Sequence, residues 1–185
     1  MSSYLIHAPF FGSESAADHQ KAWASMEEVK AAGLAKSIGV SNYLPQHLEA
    51  ILATAKIPPA LNQIEFHAYL QHPELLTYHK KHGIATSAYA PLTPVTKASG
   101  GPIDNYLSAL SKKYAVNEGE ICLRYCVDQD IVAITTSSKE QRLSDYLRSM
   151  TFKLTPKEIK ELNELGSQKH FRGFWTHKID ANDRK

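Results

Sequence analysis

Short, almost continuously apolar segments alternate with longer amphipathic segments along this sequence of 185 residues. Apolar runs of this length are typical of strands that are buried on both faces of a parallel sheet. The amphipathic segments have helical periodicity, and several of them end at a glycine suited to the left-handed helix cap. Because strand–helix alternation is the pattern of βα units, it predicts an α/β fold. The five predicted strands are 3–7, 35–40, 60–66, 84–89 and 131–135.

The length of the chain limits which α/β fold it can form. A (β/α)8 barrel usually needs about 250 residues and rarely fewer than about 200. For 185 residues we expect one domain, an incomplete TIM-type barrel of five βα units with a C-terminal helix. Its body covers 3–166 and its tail 167–185, and the tail's aromatic residues predict that part of it packs on the body. Open barrel edges favour self-association, for example as a homodimer.

Composition argues against several classes of partner. The formal net charge of +2 gives no reason to expect nucleic acid or a membrane surface. No apolar run is long enough to span a bilayer, and the N-terminus has no secretory pattern. Cys122 and Cys126 lie four residues apart, so we expect both on one helical face as small apolar residues. The lack of a disulfide framework predicts a cytoplasmic protein.

Hydrogen-bonding side chains occupy the carboxyl ends of the predicted strands, where parallel barrels concentrate their chemistry. An aromatic ring together with carboxamides and hydroxyls suits a heteroaromatic ring bearing an amide, such as nicotinamide. No acidic cluster or nucleophile spacing accompanies them, so we predict no metal site. These strand-end residues are His7, Ser41, Asn42, Asn62, Gln63, Glu65, Tyr89 and 135–138.

The segment after the last strand has the composition of an anion site. Ser137, Ser138, Lys139 and Arg142 combine hydroxyl groups and two cations with the start of a predicted helix. The alternative is that the serines only cap this helix and that the cations are solvated surface. The residues by themselves are compatible with both interpretations.

Other histidines and aromatic residues have simpler structural interpretations. His79 and His82 lie three apart on a predicted helix beside two lysines, which predicts a solvated face rather than a metal pair. Trp23 and Met26 are expected in the core. A histidine in the position of His7 is, by itself, more often a hydrogen-bonded core residue than a functional one.

Five segments resemble consecutive parts of the aldo-keto reductases, in the order that this family has. Segments 4–9, 33–43, 61–71 and 88–92 are similar to the fourth to seventh strands, and 134–142 is similar to the cofactor phosphate segment. The match extends from residue 4 to about 175, and it identifies the chain as a member of the family. Residues 135–139, Thr-Thr-Ser-Ser-Lys, are most similar to a fungal branch that reduces keto-amides and conjugated diketones.

The resemblance implies an NADP(H)-dependent oxidoreductase that transfers a hydride to a small ketone or aldehyde. It places His7 at the substrate carbonyl as the catalytic histidine, and Tyr89 against the nicotinamide ring. It implies that Phe174 and Trp175 shape the substrate pocket. The remaining cofactor-binding residues that it implies are Ser41, Asn42 and Gln63 for the carboxamide, Leu92 for the pyrophosphate, and Thr136, Ser137, Ser138, Lys139 and Arg142 for the 2′-phosphate segment.

Departures from the family pattern weaken this expectation. Thr136 stands where the family usually has Lys, which Lys139 replaces in part, and Ala90 and Tyr146 stand where Ser and Asn are common. The family's first three βα units, with its catalytic Asp, Tyr and Lys, have no counterpart in this sequence. We therefore expect weak or no activity from this chain alone. The alternative is a non-catalytic NADP(H)-binding or self-associating module.

Overall fold

A computed structural model of the protein describes residues 2–179 and contains a five-stranded sheet. The strands are β1 (Ser3–Ile6), β2 (Ser37–Ser41), β3 (Leu61–Glu65), β4 (Ala85–Tyr89) and β5 (Ile131–Ala133). Their order in the sheet is their order in the sequence, and β1–β2 and β2–β3 pair in parallel. Registers such as Leu5 opposite Gly39 and Ser41 opposite Gln63 align the ends of neighbouring strands. The α/β prediction is confirmed, with strand bounds within two residues. That this sheet forms an incomplete barrel stays a prediction.

Within residues 2–179, seven α-helices follow or separate the strands. They are α1 (Ala16–Ala31), α2 (Pro45–Leu52), α3 (Pro73–His82), α4 (Asp104–Tyr114), α5 (Glu118–Val127), α6 (Glu140–Arg148) and α7 (Pro156–Ser167). One turn of 3₁₀ helix, Thr93–Val95, lies in the long connection after β4. None of the helices within residues 2–179 is long and apolar enough to cross a membrane.

The start of α6 differs from the expectation that a helix begins at Ser137 or Ser138. The helix begins at Glu140, and its N-cap residue Lys139 provides no side-chain cap. The hydroxyl of Ser137 accepts a hydrogen bond from the Lys139 amide at 3.0 Å. Such local side-chain bonds compete with the helix for backbone donors, which explains the later start. The two serines therefore lie in a loop and do not cap α6.

The described residues form two compact units. The first contains the chain up to Ile64 and Pro73–Ser87, and the second contains Glu65–His72 and the chain from Ala88 onward. Trp23 and Met26 are buried in the first unit, as predicted, and the Trp23 indole N–H donates to the Ile57 carbonyl at 2.9 Å. In the second unit, the rings of Phe66 and Tyr125 stack at 5.9 Å. A single body over 3–166 stays a prediction.

Helix α5 is almost completely buried in the second unit and carries both cysteines. Burial raises the pKa of the Cys122 thiol to about 12 and also raises the pKa of Cys126. Both thiols are therefore protonated and pack as small apolar groups, which confirms the prediction for this pair. The cytoplasmic location inferred from cysteine usage stays a prediction.

The predicted solvated face of α3 is wrong for His79, which is only 1% exposed. Position 79 lies one turn after the buried Leu75, so both side chains point into the first unit. The neighbouring Lys80 and Lys81 are exposed, as expected. The His82 side chain is half-buried, with Nδ1 2.9 Å from the Tyr78 carbonyl oxygen.

Candidate active site

Four of the predicted site residues come together at the end of β2 in the first unit. Asn42 follows the last residue of β2 with φ of 62°, a left-handed conformation that asparagine adopts more readily than most residues. Its Nδ2 donates to the Ser41 hydroxyl and to the His7 carbonyl oxygen, both at 3.0 Å. The Ser41 hydroxyl in turn donates to the Gln63 carbonyl oxygen at 2.7 Å. These bonds hold the Ser41 and Asn42 side chains in one orientation.

His7 follows β1, and its side chain is exposed. It is therefore not the buried core histidine that its position alone suggests. The contact with Asn42 uses the His7 backbone carbonyl. The His7 side chain thus lies exposed at the end of the first unit where the Ser41 and Asn42 side chains are fixed.

A buried polar network supports the backbone after Asn42. Asn62 Nδ2 donates to the Tyr43 carbonyl at 2.8 Å and to His79 Nε2 at 3.0 Å. His79 then carries its proton on Nδ1, which lies 2.9 Å from the Thr86 hydroxyl. The sequence marks Asn62 only as a strand-end polar residue, and the prediction of a solvated face for His79 is wrong. The available signal is the helical spacing that places His79 beneath Leu75.

Tyr89 ends β4 in the second unit and packs against the C-terminal tail. Burial, assisted by the charge of Glu65, raises the pKa of the Tyr89 phenol, so this side chain is neutral. Its ring lies edge-on to the ring of Phe174, with centroids 5.4 Å apart. Lys97 Nζ lies 4.0 Å from the centroid of the same Phe174 ring. Leu92 is half-buried and directly precedes the 3₁₀ turn.

The tail bonds to the second unit through its backbone. The Phe171 amide donates to the Tyr69 carbonyl at 3.2 Å, and the Gly173 and Phe174 amides donate to the Glu65 carboxylate at 2.8 and 3.1 Å. The prediction that part of the tail packs on the body is therefore confirmed. Trp175 is half-buried with φ of 60°. The last six residues of the predicted tail, 180–185, lie outside the described residues.

The predicted phosphate segment is accessible in the second unit. Thr136, Ser138, Lys139 and Arg142 are exposed, and Ser137 is half-buried. Within residues 2–179, neither Lys139 nor Arg142 forms a salt bridge. Two cations without a carboxylate partner among the described residues, next to hydroxyl groups, form a donor set that fits a phosphate group. The residues present are therefore compatible with the 2′-phosphate of NADP(H).

The described residues contain no group of three or more His, Cys, Asp or Glu side chains suited to a metal ion. An apolar cavity of about 10 Å³ lies beside Ile103, Leu107 and Leu162 in the second unit. A volume of this size holds at most about one water molecule, so this cavity does not hold a substrate.

Comparison with known proteins shows which family the chain belongs to. The model of the Aldo/keto reductase family matches residues 1–167. The chain belongs to the aldo/keto reductase family. Proteins of this family use NADP(H). The family resemblance inferred from five sequence segments is confirmed, whereas the roles of individual site residues stay predictions.

Two fungal relatives show how much of a reductase the chain covers. The NADPH-dependent alpha-keto amide reductase of Saccharomyces cerevisiae is 37% identical over 93% of this chain and 58% of its own length. The NAD/NADP-dependent indole-3-acetaldehyde reductase of Schizosaccharomyces pombe is 35% identical over 94% of this chain and 62% of its own length. The chain thus spans less than two thirds of the length of these relatives.

Solved structures give the same result. An aldo/keto reductase from Brucella melitensis is 30% identical, with a TM-score of 0.79 over 89% of this chain and 60% of its own. The Bombyx mori aldo-keto reductase in complex with NADP is 29% identical, with a TM-score of 0.80 over 89% of this chain and 57% of its own. The parallel α/β fold is therefore the fold of the matching part of these enzymes.

Proposed function

We propose that this chain is an NADPH-dependent oxidoreductase component that binds NADP(H) and orients a carbonyl substrate for hydride transfer. The observation that carries this proposal is the bonded set of Ser41, Asn42, Gln63 and His7 at the strand ends of the first unit. Family membership and the keto-amide and aldehyde reductases among the relatives support it. The substrate class that we propose is a small ketone or aldehyde, including diketones and keto-amides.

Each unit by itself offers groups suited to one part of the cofactor. In the first, Ser41, Asn42 and Gln63 offer the hydroxyl and amide groups that a nicotinamide carboxamide requires. In the second, the neutral ring of Tyr89 offers an aromatic face. Also in the second unit, the 2′-phosphate would be bound by Thr136, Ser137, Ser138, Lys139 and Arg142. Leu92 would cover the pyrophosphate.

Bound NADPH would supply the hydride, and His7 would donate a hydrogen bond to the carbonyl oxygen and then the proton that completes the alcohol. Phe174 and Trp175 provide apolar surface for the substrate and exclude water. The family's tyrosine acid has no counterpart in this sequence. Loss of a positioned general acid typically lowers a rate by about 10²–10⁴-fold. We therefore expect turnover by this chain alone to be slow and to depend on His7.

A titration that compares NADPH with NADH tests cofactor binding. Arg142→Ala combined with Lys139→Ala removes both cations of the phosphate segment. We expect the Kd for NADPH, measured by quenching of protein fluorescence, to rise about tenfold or more, because charge-assisted hydrogen bonds are lost. Binding of NADH, which has no 2′-phosphate, should change less than twofold. The control is Lys160→Ala, which removes a lysine whose side chain is exposed on α7.

Equal losses for the two cofactors would contradict the assignment of the 2′-phosphate. A chain that binds neither cofactor would contradict the proposed function as a whole. With a diketone and saturating NADPH, His7→Ala should lower the rate of NADPH consumption at least tenfold. Its affinity for NADPH should stay within twofold.

A non-catalytic module is the second candidate, and one observation favours it. Several large apolar side chains of the second unit are exposed, as on a surface that another protein covers. They are Val132, Ile134, Leu143, Leu147 and Met150. NADPH binding without turnover, together with concentration-dependent self-association, would favour this candidate over the reductase.

A further inference from the structure

A buried carboxylate in the second unit collects hydrogen bonds from the C-terminal tail. Glu65 is the last residue of β3, and its side chain is 1% exposed. Oε1 accepts from the Gly173 amide at 2.8 Å, and Oε2 accepts from the Phe174 amide at 3.1 Å. One carboxylate thus holds two successive amides of a segment more than a hundred residues away. Bonds from an amide to an ionised acceptor are stronger than those between neutral groups.

His67 completes the surroundings of this carboxylate. The imidazole is fully buried, with Nε2 3.3 Å from Glu65 Oε1. Burial lowers the pKa of His67, so the ring is neutral, and it donates from Nε2 because the carboxylate can only accept. Nδ1 has no hydrogen-bond partner among the described residues. A buried carboxylate needs compensating donors, and the tail provides two of them, the Gly173 and Phe174 amides.

The tail backbone that Glu65 holds carries the ring of Phe174. That ring lies edge-on to Tyr89 and under Lys97 Nζ. The chain turns directly afterwards, since Trp175 has a left-handed φ of 60° and its carbonyl accepts from the Lys178 and Ile179 amides at 2.8 Å. Displacement of the Gly173 and Phe174 amides would therefore move the Phe174 ring off Tyr89.

We propose that Glu65 is a positioning residue for the substrate pocket. Its carboxylate, oriented by His67, holds the backbone of 173–174 and thereby sets the position of Phe174 against Tyr89. Glu65 does not touch substrate in this assignment. It determines, through Phe174, which carbonyl compounds fit the pocket. The link to the substrate rests on the proposed function, whereas the attachment of the tail does not.

Hydrogen exchange measured by mass spectrometry tests the attachment. Glu65→Gln replaces one accepting oxygen with an NH₂ group that cannot accept from an amide. We expect exchange of the Gly173 and Phe174 amides to become about tenfold faster or more, the loss of one hydrogen bond to a charged acceptor. Glu164→Gln, which alters an exposed glutamate of α7, is the matched control and should leave this exchange unchanged.

A second variant avoids any change to the core. Gly173→Pro removes the amide hydrogen that Glu65 Oε1 accepts and leaves β3 intact. It should speed exchange of the Phe174 amide while protection of the β3 amides persists. Unchanged tail exchange in both Glu65→Gln and Gly173→Pro would overturn the proposal.

Kinetics with a diketone test the link to the substrate. Glu65→Gln should raise KM about fivefold or more, while kcat and the Kd for NADPH stay within twofold. The double variant Glu65→Gln, Phe174→Ala should be no worse than Phe174→Ala alone, because coupled sites are not additive. Additive effects would overturn the positioning role. Failure of the unaltered chain to bind NADPH would instead contradict the proposed function, and the exchange result would still decide the attachment.

Discussion

At the scale of single residues, His19 is a histidine that the fold keeps neutral. It is 1% exposed in the first unit, and both ring nitrogens are without hydrogen-bond partners among the described residues. The rings of Phe11, Tyr43 and His47 surround it at centroid distances of 5.1 to 5.6 Å. Burial lowers the pKa of His19, and the charges of Asp18 and Glu14 oppose this effect without cancelling it.

His19→Phe should make the protein more resistant to acid. An unfolded histidine has a pKa of about 6.5, so below that pH the unfolded chain binds a proton that the folded chain refuses. Stability therefore falls as pH drops through this value, and phenylalanine removes the contribution while keeping an aromatic ring. At pH 5 we expect urea unfolding to give the variant a free energy of unfolding about 1 kcal/mol higher than that of the parent. At pH 7.5 the two free energies should differ less. His177→Gln, at an exposed position, is the control; the same pH dependence in the parent and His19→Phe would contradict the argument.

At the scale of elements, α7 has a start that the sequence predicts correctly. The Thr155 hydroxyl accepts from the Glu158 amide, and the Glu158 carboxylate accepts from the Thr155 amide at 2.7 Å. The structure adds two partners from α4, since Lys113 Nζ and the Tyr114 hydroxyl donate to Glu158 at 2.6 and 2.8 Å. Burial opposes ionisation of Glu158, but these donors outweigh it and lower its pKa from 4.5 to about 2.

Glu158→Gln should therefore remove part of the acid sensitivity of α7. The lowered pKa stabilises the folded chain above about pH 4.5, and this contribution is lost as pH falls from there toward 2. We expect the variant to lose about 2 kcal/mol at pH 7 and to show a flatter thermal midpoint between pH 4.5 and 2.5. Thr155→Ala is the contrast, because it should cost about 1 kcal/mol and keep most of the slope. A slope that is unchanged in Glu158→Gln would refute this role.

The difference between predictable and unpredictable elements lies in the range of the interactions that define them. The bounds of α3 and the capping box of α7 follow from residues three or four apart, which a sequence displays directly. The start of α6 was predicted wrongly because the Ser137 hydroxyl bonds locally. The attachment of the tail to Glu65 joins residues more than a hundred apart, and no local pattern contains it. In the candidate site, the strand-end positions are predictable from the sequence, whereas the bonds from His79 to Asn62 and Thr86 join separate elements and are not.

At the scale of the whole molecule, exposed apolar side chains lead us to expect self-association. β1 and β5 are the two ends of the strand order, and β5 carries Val132 and exposes it. On α6, Leu143 and Leu147 lie one turn apart, and Leu147 is 73% exposed. A helix that buries none of its residues but carries an apolar stripe is expected to pack against another surface. Edge strands add unpaired backbone groups that favour pairing with another chain.

Leu147→Lys should therefore reduce self-association of the isolated chain. A cation on the exposed stripe of α6 would have to be buried in any contact that uses this helix, at a cost that unpaired charges always carry. We expect the parent to associate as its concentration rises, and the variant to remain monomeric at roughly tenfold higher concentration, a difference of about 1.4 kcal/mol, by size-exclusion chromatography with light scattering. Leu34→Lys places the same charge on a residue that is 64% exposed in the first unit, and it should associate like the parent. A monodisperse parent monomer that unfolds cooperatively would contradict self-association, and equal effects of both variants would exclude α6 as the contact surface.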